Sequence, residues 1–306
     1  MMLTTVLCLM QLPSVLSYFT VDRDAPGLEF NPWPAGPDGF AQIEYCYENN
    51  ATEKRVQHYV KDAIDMWMSV LPMDIGIRLV RSSMLCEDHD RKDDTPRVHI
   101  RISQQNRTAA TGGYYGRDAG QRGKHVLLIA DDFGMSKWRY DNEVVCVAHE
   151  FGHVFGLIHE HQRPDATHYI RLKCSNFPGY KDIKQRIEEN PLHWTDTIEK
   201  ACSYASVATS YSWDWSQWLQ YSGTTNVTFS ERYDVESIMH YSGWPADVMA
   251  IWPGGNWVPP GKGPSAGDVE GISYLYPPPR HNKSFPLRWR LQWYYRILRW
   301  FFKKLW

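Results

Sequence analysis

The chain has 306 residues, enough for one sizeable catalytic domain built around a cleft and too few for much more. Its formal net charge of −2 argues against nucleic acid as a partner of the whole protein. Aromatic residues make up 14% of the chain, so a well-packed core can form beside many polar loops.

The N-terminal stretch over residues 1–17 is apolar and uncharged. Val15 and Ser17 are small enough for the −3 and −1 positions of a signal-peptidase site, and the stretch is too short to span a membrane. It therefore predicts a secretory signal peptide, with a buried N-terminal segment as the alternative.

Residues 18–35 are rich in Pro, Asp and Gly and predict a loop or a short pro-segment. After them, the helical period of apolar residues predicts a helix over Glu53–Leu71, capped by Asn50 or Thr52. The predicted strands are Ile43–Tyr47, Ile75–Val80, Val98–Ile102 and His125–Ala130. This order predicts a twisted sheet backed by two helices.

A second long helix is predicted to begin near Asp141 or Asn142 and to end at Gly156, a natural helix stop. Beyond it the chain shows little periodicity as far as about Pro260. Asp268 is predicted to cap a last short helix.

The segment from His149 to His159 carries the chemistry. In a helix, residues four apart are rotated by about 400°, so His149 and His153 lie on one face and can reach one metal ion. Glu150 lies about 100° further round, where a base acting on water activated by the metal should stand. A sharp turn at Gly156 would bring His159 back to the same ion. Three histidines leave one position open for water, as in catalytic zinc sites.

The alternative is a helix whose histidines are exposed or satisfied within the core. Five fixed positions recur by accident in a chain of this length with a probability on the order of 10⁻⁴, which disfavours that alternative.

The pattern from His149 to His159, HExxHxxGxxH, resembles the metzincin signature of zinc proteases. The segment Ser237-Ile238-Met239-His240-Tyr241 resembles the Met-turn that follows it. His159-Glu160 and Arg163-Pro164-Asp165 narrow the resemblance to the astacin family.

The resemblance implies an α+β metzincin fold over residues 36–279. The upper lobe would hold a twisted, mostly parallel or mixed sheet with two long helices. The lower lobe would be largely irregular, with a short C-terminal helix. The implied function is that of a secreted zinc endopeptidase with one Zn²⁺ per chain and protein or peptide substrates.

The resemblance also implies roles for single residues. Met239 would form a hydrophobic floor beneath the metal. Tyr241 would be an additional zinc ligand that swings away and stabilises the tetrahedral intermediate. Glu160 would lie in the polar network that receives the mature N-terminus. The strand His125–Ala130 would be the edge that pairs with an extended substrate peptide.

The chain departs from the astacin pattern near the site. Leu157 follows the turn glycine where astacins usually have Phe, and Ala166-Thr167 interrupts a charged run. A pro-segment motif of the form F-x-G-D is not found. These differences concern activation and substrate preference rather than the metal site.

Loss of the signal peptide would remove Cys8 and leave an odd number of cysteines, so one would be free. Cys146 is the candidate because it lies in the helix that carries the histidines. The simplest pairs are then Cys46–Cys86 and Cys174–Cys202, although the sequence does not determine connectivity. Sequons begin at Asn50, Asn106, Asn226 and Asn282, as in a secreted glycoprotein.

Residues 280–306 carry eight Lys and Arg residues, no acid and many aromatics. This is the composition of an interfacial helix that contacts a membrane surface. A helix packed against the catalytic domain and a tail disordered in solution are the alternatives.

Two functions of other classes stay open at this point. One is a non-catalytic zinc-binding or recognition protein on the same fold, which would be expected to lose Glu150 first. The other is a membrane-interacting protein whose functional part is the tail.

Overall fold

The computed structural model describes residues 18–23, 31–88, 95–105, 108–114, 123–131, 143–220, 226–242, 248–251 and 253–279. The predicted signal peptide, the basic tail, the sequons at Asn106 and Asn282, and the proposed helix start at Asp141 or Asn142 lie outside these residues. Among the described residues, no helix has both the length and the apolar character needed to cross a membrane.

Four strands separate the two long helices, and the shorter helices follow later in the chain. The strands are β1 (Phe19–Val21), β2 (Ala41–Tyr47), β3 (Ile77–Arg81), β4 (Arg97–Ser103), β5 (Ala109–Ala110), β6 (His125–Ala130), β7 (Ile170–Leu172), β8 (Val227–Phe229) and β9 (Met249–Ile251). The α-helices are α1 (Asn50–Val70), α2 (Glu143–Phe155), α3 (Tyr180–Glu189), α4 (Ile198–Ser203), α5 (Ala205–Ser210) and α6 (Ala266–Leu275).

The upper lobe is a five-stranded mixed sheet in the order β3-β2-β4-β6-β5. Three of its strand pairs are parallel, and β5 alone pairs antiparallel, with β6. The predicted α+β fold with a mostly parallel, mixed sheet is therefore confirmed.

The predicted substrate edge at His125–Ala130 is wrong in its placement. This strand, β6, has β4 on one side and β5 on the other, so β5 is the edge of the sheet. Strand β5 consists of Ala109 and Ala110 only, and two alanines carry no alternation that a sequence pattern could detect.

Helices α1 and α2 pack against each other beneath the sheet. Trp67 of α1 is fully buried, and its indole Nε1 donates to the Ala148 carbonyl of α2 at 2.8 Å. The cap of α1 is Asn49, whose side chain accepts from the Thr52 N–H at 2.9 Å, and not Asn50 or Thr52 as predicted. The extended backbone of Asn49, with φ −150°, leaves its side chain free to reach that N–H.

The prediction that residues 18–35 lack regular structure is also wrong. Phe19–Val21 forms strand β1, which pairs with β8, and its three residues are at most 2% exposed. Thr20 Oγ1 donates to the Gly156 carbonyl at 2.8 Å, so this strand packs where α2 ends. Three residues are too few to show a strand period. The short pro-segment stays a prediction.

The lower lobe has more regular structure than predicted, because it contains α3, α4 and α5. Helix α3 buries only Ile183 and Ile187, a stripe too sparse to stand out in the sequence. These helices surround a second core that includes Trp213 and Trp215.

Both predicted disulfides are confirmed, with Cys46–Cys86 in the upper lobe and Cys174–Cys202 in the lower lobe. Cys146 is the free cysteine among the described residues, and burial raises the pKa of its thiol to about 12.

The last helix, α6, is capped by Ser265 and not by Asp268 as predicted. The Ser265 side chain accepts from the Asp268 N–H, and the Asp268 carboxylate accepts from the Ser265 N–H. The two residues thus form a capping box, in which Asp268 occupies the third helical position.

Candidate metal centre

Helix α2 supplies two histidines and a glutamate to the candidate site. His149 and Glu150 are buried, and His153 follows one turn after His149. The chain turns at Gly156, whose φ of +104° suits glycine and few other residues. Beyond the turn, the Leu157 carbonyl accepts from His153 Nδ1 at 2.9 Å.

The third histidine, His159, comes from the loop after the turn, and its ring faces the other two. Its Nε2 atom lies 3.1 Å from Nε2 of His149 and 2.9 Å from Nε2 of His153. The structure therefore brings together all three predicted metal ligands, in a group that could hold a metal ion.

The opposite nitrogen of each ring is occupied by an acceptor. Nδ1 of His149 donates to the Ile238 carbonyl at 2.6 Å, and Nδ1 of His159 donates to Gln162 Oε1 at 3.0 Å. The Gln162 amide is oriented by its own donation to the Leu219 carbonyl at 3.2 Å.

These bonds decide which nitrogens are free for a metal. A neutral imidazole carries one N–H, and in each ring that proton is on Nδ1, so three Nε2 lone pairs face one point. Such an arrangement is unfavourable without a cation and fits Zn²⁺, which binds neutral imidazole nitrogen at about 2.0–2.1 Å. Burial lowers the pKa values of His149 and His153 to about 3 and about 4, so both rings are neutral at pH 7.

Met239 lies against α2 between its two histidines. A Cβ atom on Gly152 would overlap the Met239 sulfur, so glycine is required at this point of the helix. The Met239 carbonyl accepts from the Glu160 N–H at 3.1 Å, which ties the segment 237–241 to the loop that carries His159. Met239 thus packs against the turn of α2 that carries both histidines, and its role as a floor beneath the metal stays a prediction.

Tyr241 packs beside the histidines from the lower lobe. Its ring centroid lies 4.3 Å from that of His159 and 4.4 Å from that of His161. Burial raises the pKa of the Tyr241 phenol, and the nearby Glu150 charge raises it further. The phenol is therefore protonated at neutral pH and lies in the field of Glu150.

Glu160 is buried in a polar network behind the site. Its Oε1 accepts from Arg163 Nη1 at 2.8 Å and from the Asp234 N–H at 2.9 Å. Burial raises the pKa of the Glu160 carboxyl, and the Arg163 cation opposes that rise. That Glu160 receives a mature N-terminus stays a prediction.

Three residues near the site were missed or misread by the sequence analysis. Gly152 could have been noticed, because a glycine in the middle of a helix usually has a packing reason. Gln162, which orients His159, and Asp268, which bonds to Ser237 and Ile238, carry no sequence signal of these roles.

A protein-family model matches the part of the chain that carries the metal centre. The family model described as Astacin, a peptidase family, matches residues 141–213. That range contains the three histidines, Glu150, Glu160 and Arg163. No curated protein sequence matches the chain.

Two solved structures resemble the chain at TM-scores of 0.46. One is high choriolytic enzyme 1, a hatching enzyme zinc-protease from Oryzias latipes (medaka fish), at 18% identity over 80% of this chain and 93% of that one. The other is myroilysin, at 20% identity over 83% of this chain and 98% of that one. Neither likeness contributes to the assignment.

The assignment rests on the family match together with the converging histidines. Within the matched range, His149, His153 and His159 form a metal-binding group, and Glu150 follows the first of them. Over residues 141–213 the chain is therefore astacin-like, and its converging histidines are those of a zinc metalloendopeptidase.

Proposed function

We propose that the chain cleaves internal peptide bonds of proteins outside the cell, with one Zn²⁺ held by His149, His153 and His159. The observation that carries this proposal is that three unprotonated Nε2 atoms lie close together. Nε2 of His159 is 3.1 Å from that of His149 and 2.9 Å from that of His153. When bound, zinc supplies a Lewis acid that polarises a carbonyl group and lowers the pKa of water.

Glu150 is the general base in this proposal. It lies one position after His149 on α2 and is buried beside the metal ligands. One of its Oε atoms accepts a proton from the attacking water and passes it to the leaving amine nitrogen.

Tyr241 is an additional metal ligand in this proposal and, during hydrolysis, a donor to the developing oxyanion. Its phenol is suited to donation because burial and the Glu150 charge raise its pKa. Met239 and Gly156 support the site by packing and by turning the chain.

Strand β5 is the proposed docking edge for the substrate backbone. Thr111 N–H donates to the Val126 carbonyl at 2.9 Å, so Thr111 forms a hydrogen-bonded pair with β6. Antiparallel pairs alternate, so the N–H and C=O of Ala110 point away from β6. Gly113 N–H donates to the His153 carbonyl at 2.8 Å, which holds this edge next to the metal ligands.

A location outside the cell is supported by the two disulfides, because such bonds persist in oxidising compartments. The sequons at Asn50 and Asn226 are exposed. Contact of residues 280–306 with a membrane surface is part of this proposal, and it rests on composition alone.

The first experiment measures zinc content and hydrolysis of a denatured protein on the same purified sample, before and after a zinc chelator. We expect one zinc per chain and internal cleavage that stops with the chelator and returns with added zinc. The matched control is Glu150→Gln, which should keep zinc and lose about 10²–10⁴ in rate.

Stoichiometric zinc without cleavage would support the non-catalytic binding protein instead. Cleavage by Glu150→Gln at the wild-type rate would exclude Glu150 as the base. Absence of zinc would overturn the site itself.

A further inference from the structure

A chain of hydrogen bonds leads from His149 to a carboxylate on α6. His149 Nδ1 donates to the Ile238 carbonyl at 2.6 Å. That carbonyl shares a peptide group with the Met239 N–H, which donates to Ser237 Oγ at 2.9 Å. Ser237 Oγ in turn donates to Asp268 Oδ1 at 2.6 Å. All of these residues are at most 5% exposed.

The direction of every bond in this chain follows from the chemistry of its groups. A carbonyl can only accept and an amide N–H can only donate, so Ser237 Oγ accepts from Met239 and directs its own proton to Asp268. The donors therefore all point toward the carboxylate, and bonds aligned in this way polarise one another.

Asp268 is held as a charged acceptor. Its Oδ2 atom accepts from the N–H groups of Ile238 and Ser265, at 2.9 and 2.8 Å. Donors face both oxygens, and although burial raises the pKa of the Asp268 carboxyl to about 6, the group is ionised at pH 7. It also lies in the first turn of α6, where the helix dipole favours negative charge.

The other two histidines donate their Nδ1 protons to neutral acceptors. His153 donates to the Leu157 carbonyl, and His159 donates to the Gln162 side-chain amide oxygen. His149 thus differs from them, because its Nδ1 proton is drawn toward a negative charge through a peptide group and a serine. Such outer partners make a ligating imidazole more basic and fix its orientation.

We propose that Asp268 is a remote positioning residue for the metal centre, strengthening metal binding by His149 through Ser237 and the Ile238–Met239 peptide group. This inference rests on the proposed zinc site and assigns a role to a residue that does not touch it. Asp268 and Ser237 thereby join the C-terminal helix to the chemistry of α2.

The test compares zinc affinities of full-length variants by competition with a chromophoric chelator. Ser237→Ala and Asp268→Asn should each weaken zinc binding about 10- to 100-fold. Ser237→Thr keeps the hydroxyl and should stay within about threefold of the wild-type affinity. The matched control is Ser265→Ala, which removes the cap of α6 but keeps the bond between Ser237 and Asp268.

A second readout needs no metal. In the zinc-free protein, the Nδ1 proton of His149 should resonate upfield in Ser237→Ala relative to wild type, because its hydrogen bond is less polarised. Ser265→Ala should leave that resonance in place. If Asp268→Asn fails to fold, Ser237→Ala still provides both measurements.

The outcomes separate this inference from the proposed function. A wild-type chain without zinc would overturn the zinc site. A wild-type chain with zinc, and variants that bind it equally well, would overturn the role of Asp268 alone. Equal loss of affinity in Ser265→Ala would also overturn it, because the effect would then follow from stability of α6.

Discussion

The two walls of the metal centre are built by different means. The upper wall is a single helix, α2, in which His149, Glu150 and His153 are placed by the helical repeat. The lower wall carries Met239 and Tyr241 on segments outside the α-helices and strands, and they are positioned by contacts with distant parts of the chain. One wall is specified by local spacing, and the other depends on buried polar groups.

Arg163 supports the lower wall through Glu160, whose N–H donates to the Met239 carbonyl. Its guanidinium donates to Glu160, to both carboxylate oxygens of Asp165, and to the carbonyls of Ser230 and Arg232. It is completely buried. If this buried cation were removed, its hydrogen-bond partners would be left unsatisfied. Each unsatisfied buried group lowers the free energy of unfolding.

The largest effect on stability is therefore expected from Arg163→Met. Removal of one partner from a buried ion pair costs about 3–5 kcal/mol, which we expect to see in urea unfolding of the zinc-free protein. The control is Arg78→Met, which breaks an exposed pair with Asp38 and should cost less than about 1 kcal/mol. Equal losses in the two variants would show that the buried contacts of Arg163 contribute no more to stability than an exposed ion pair.

The buried carboxyl of Asp268, which anchors the lower wall through Ser237, should also make the stability of the protein depend on pH. Burial raises the pKa of Asp268 from 3.8 to about 6. The native state then binds more protons than the unfolded state between these values, so the free energy of unfolding falls as pH rises through this window. The stabilisation is complete below pH 3.8 and lost above about 6. Its size is about 3 kcal/mol, at about 1.4 kcal/mol per pKa unit.

The measurement is urea unfolding of the zinc-free wild type and of Asp268→Asn from about pH 3 to about pH 7, a range that spans the window. The wild-type protein should lose stability relative to the variant across this range, because asparagine does not titrate. A stability difference that is independent of pH would show that Asp268 has the same pKa in both states.

The contrast between the walls explains what the sequence could predict. The histidine spacing, Glu150 and the turn at Gly156 follow from helix geometry, so local spacing alone was enough to place the ligands of α2. The mixed sheet could also be predicted from the sequence, because β2, β4 and β6 are each six residues or longer.

The rest could not be predicted because it depends on pairing between distant segments. Strands β1 and β5 have three and two residues, and each is stabilised by a partner strand rather than by its own pattern. The double role of Asp268, as a capping-box residue and as an anchor of Ser237, depends on contacts across about 30 positions of the chain.

A smaller effect is expected where the two walls touch. Gly152→Ala would drive a methyl group into the Met239 sulfur, and overpacking of this kind costs about 1–3 kcal/mol. Zinc affinity should fall with it, because Gly152 lies on α2 between the ligands His149 and His153. The control is Gly254→Ala, where the nearest atom is 3.9 Å away and the cost should be within about 0.5 kcal/mol. Unchanged stability in Gly152→Ala would mean that Met239 can move aside.

The smallest effect concerns the edge strand β5, which lies beside the upper wall and is not specified by local spacing. Ala110→Pro removes an N–H that points away from β6, so the fold should tolerate it while a substrate peptide loses one hydrogen bond. One bond is worth about 1 kcal/mol, so KM for a peptide should rise about fivefold at unchanged kcat. Ala109→Pro is the matched control, because its N–H faces β6 and its loss should lower stability instead. If the two variants exchange these effects, the register of β5 is shifted by one residue, and if Ala110→Pro leaves KM unchanged, the substrate does not bind along this edge.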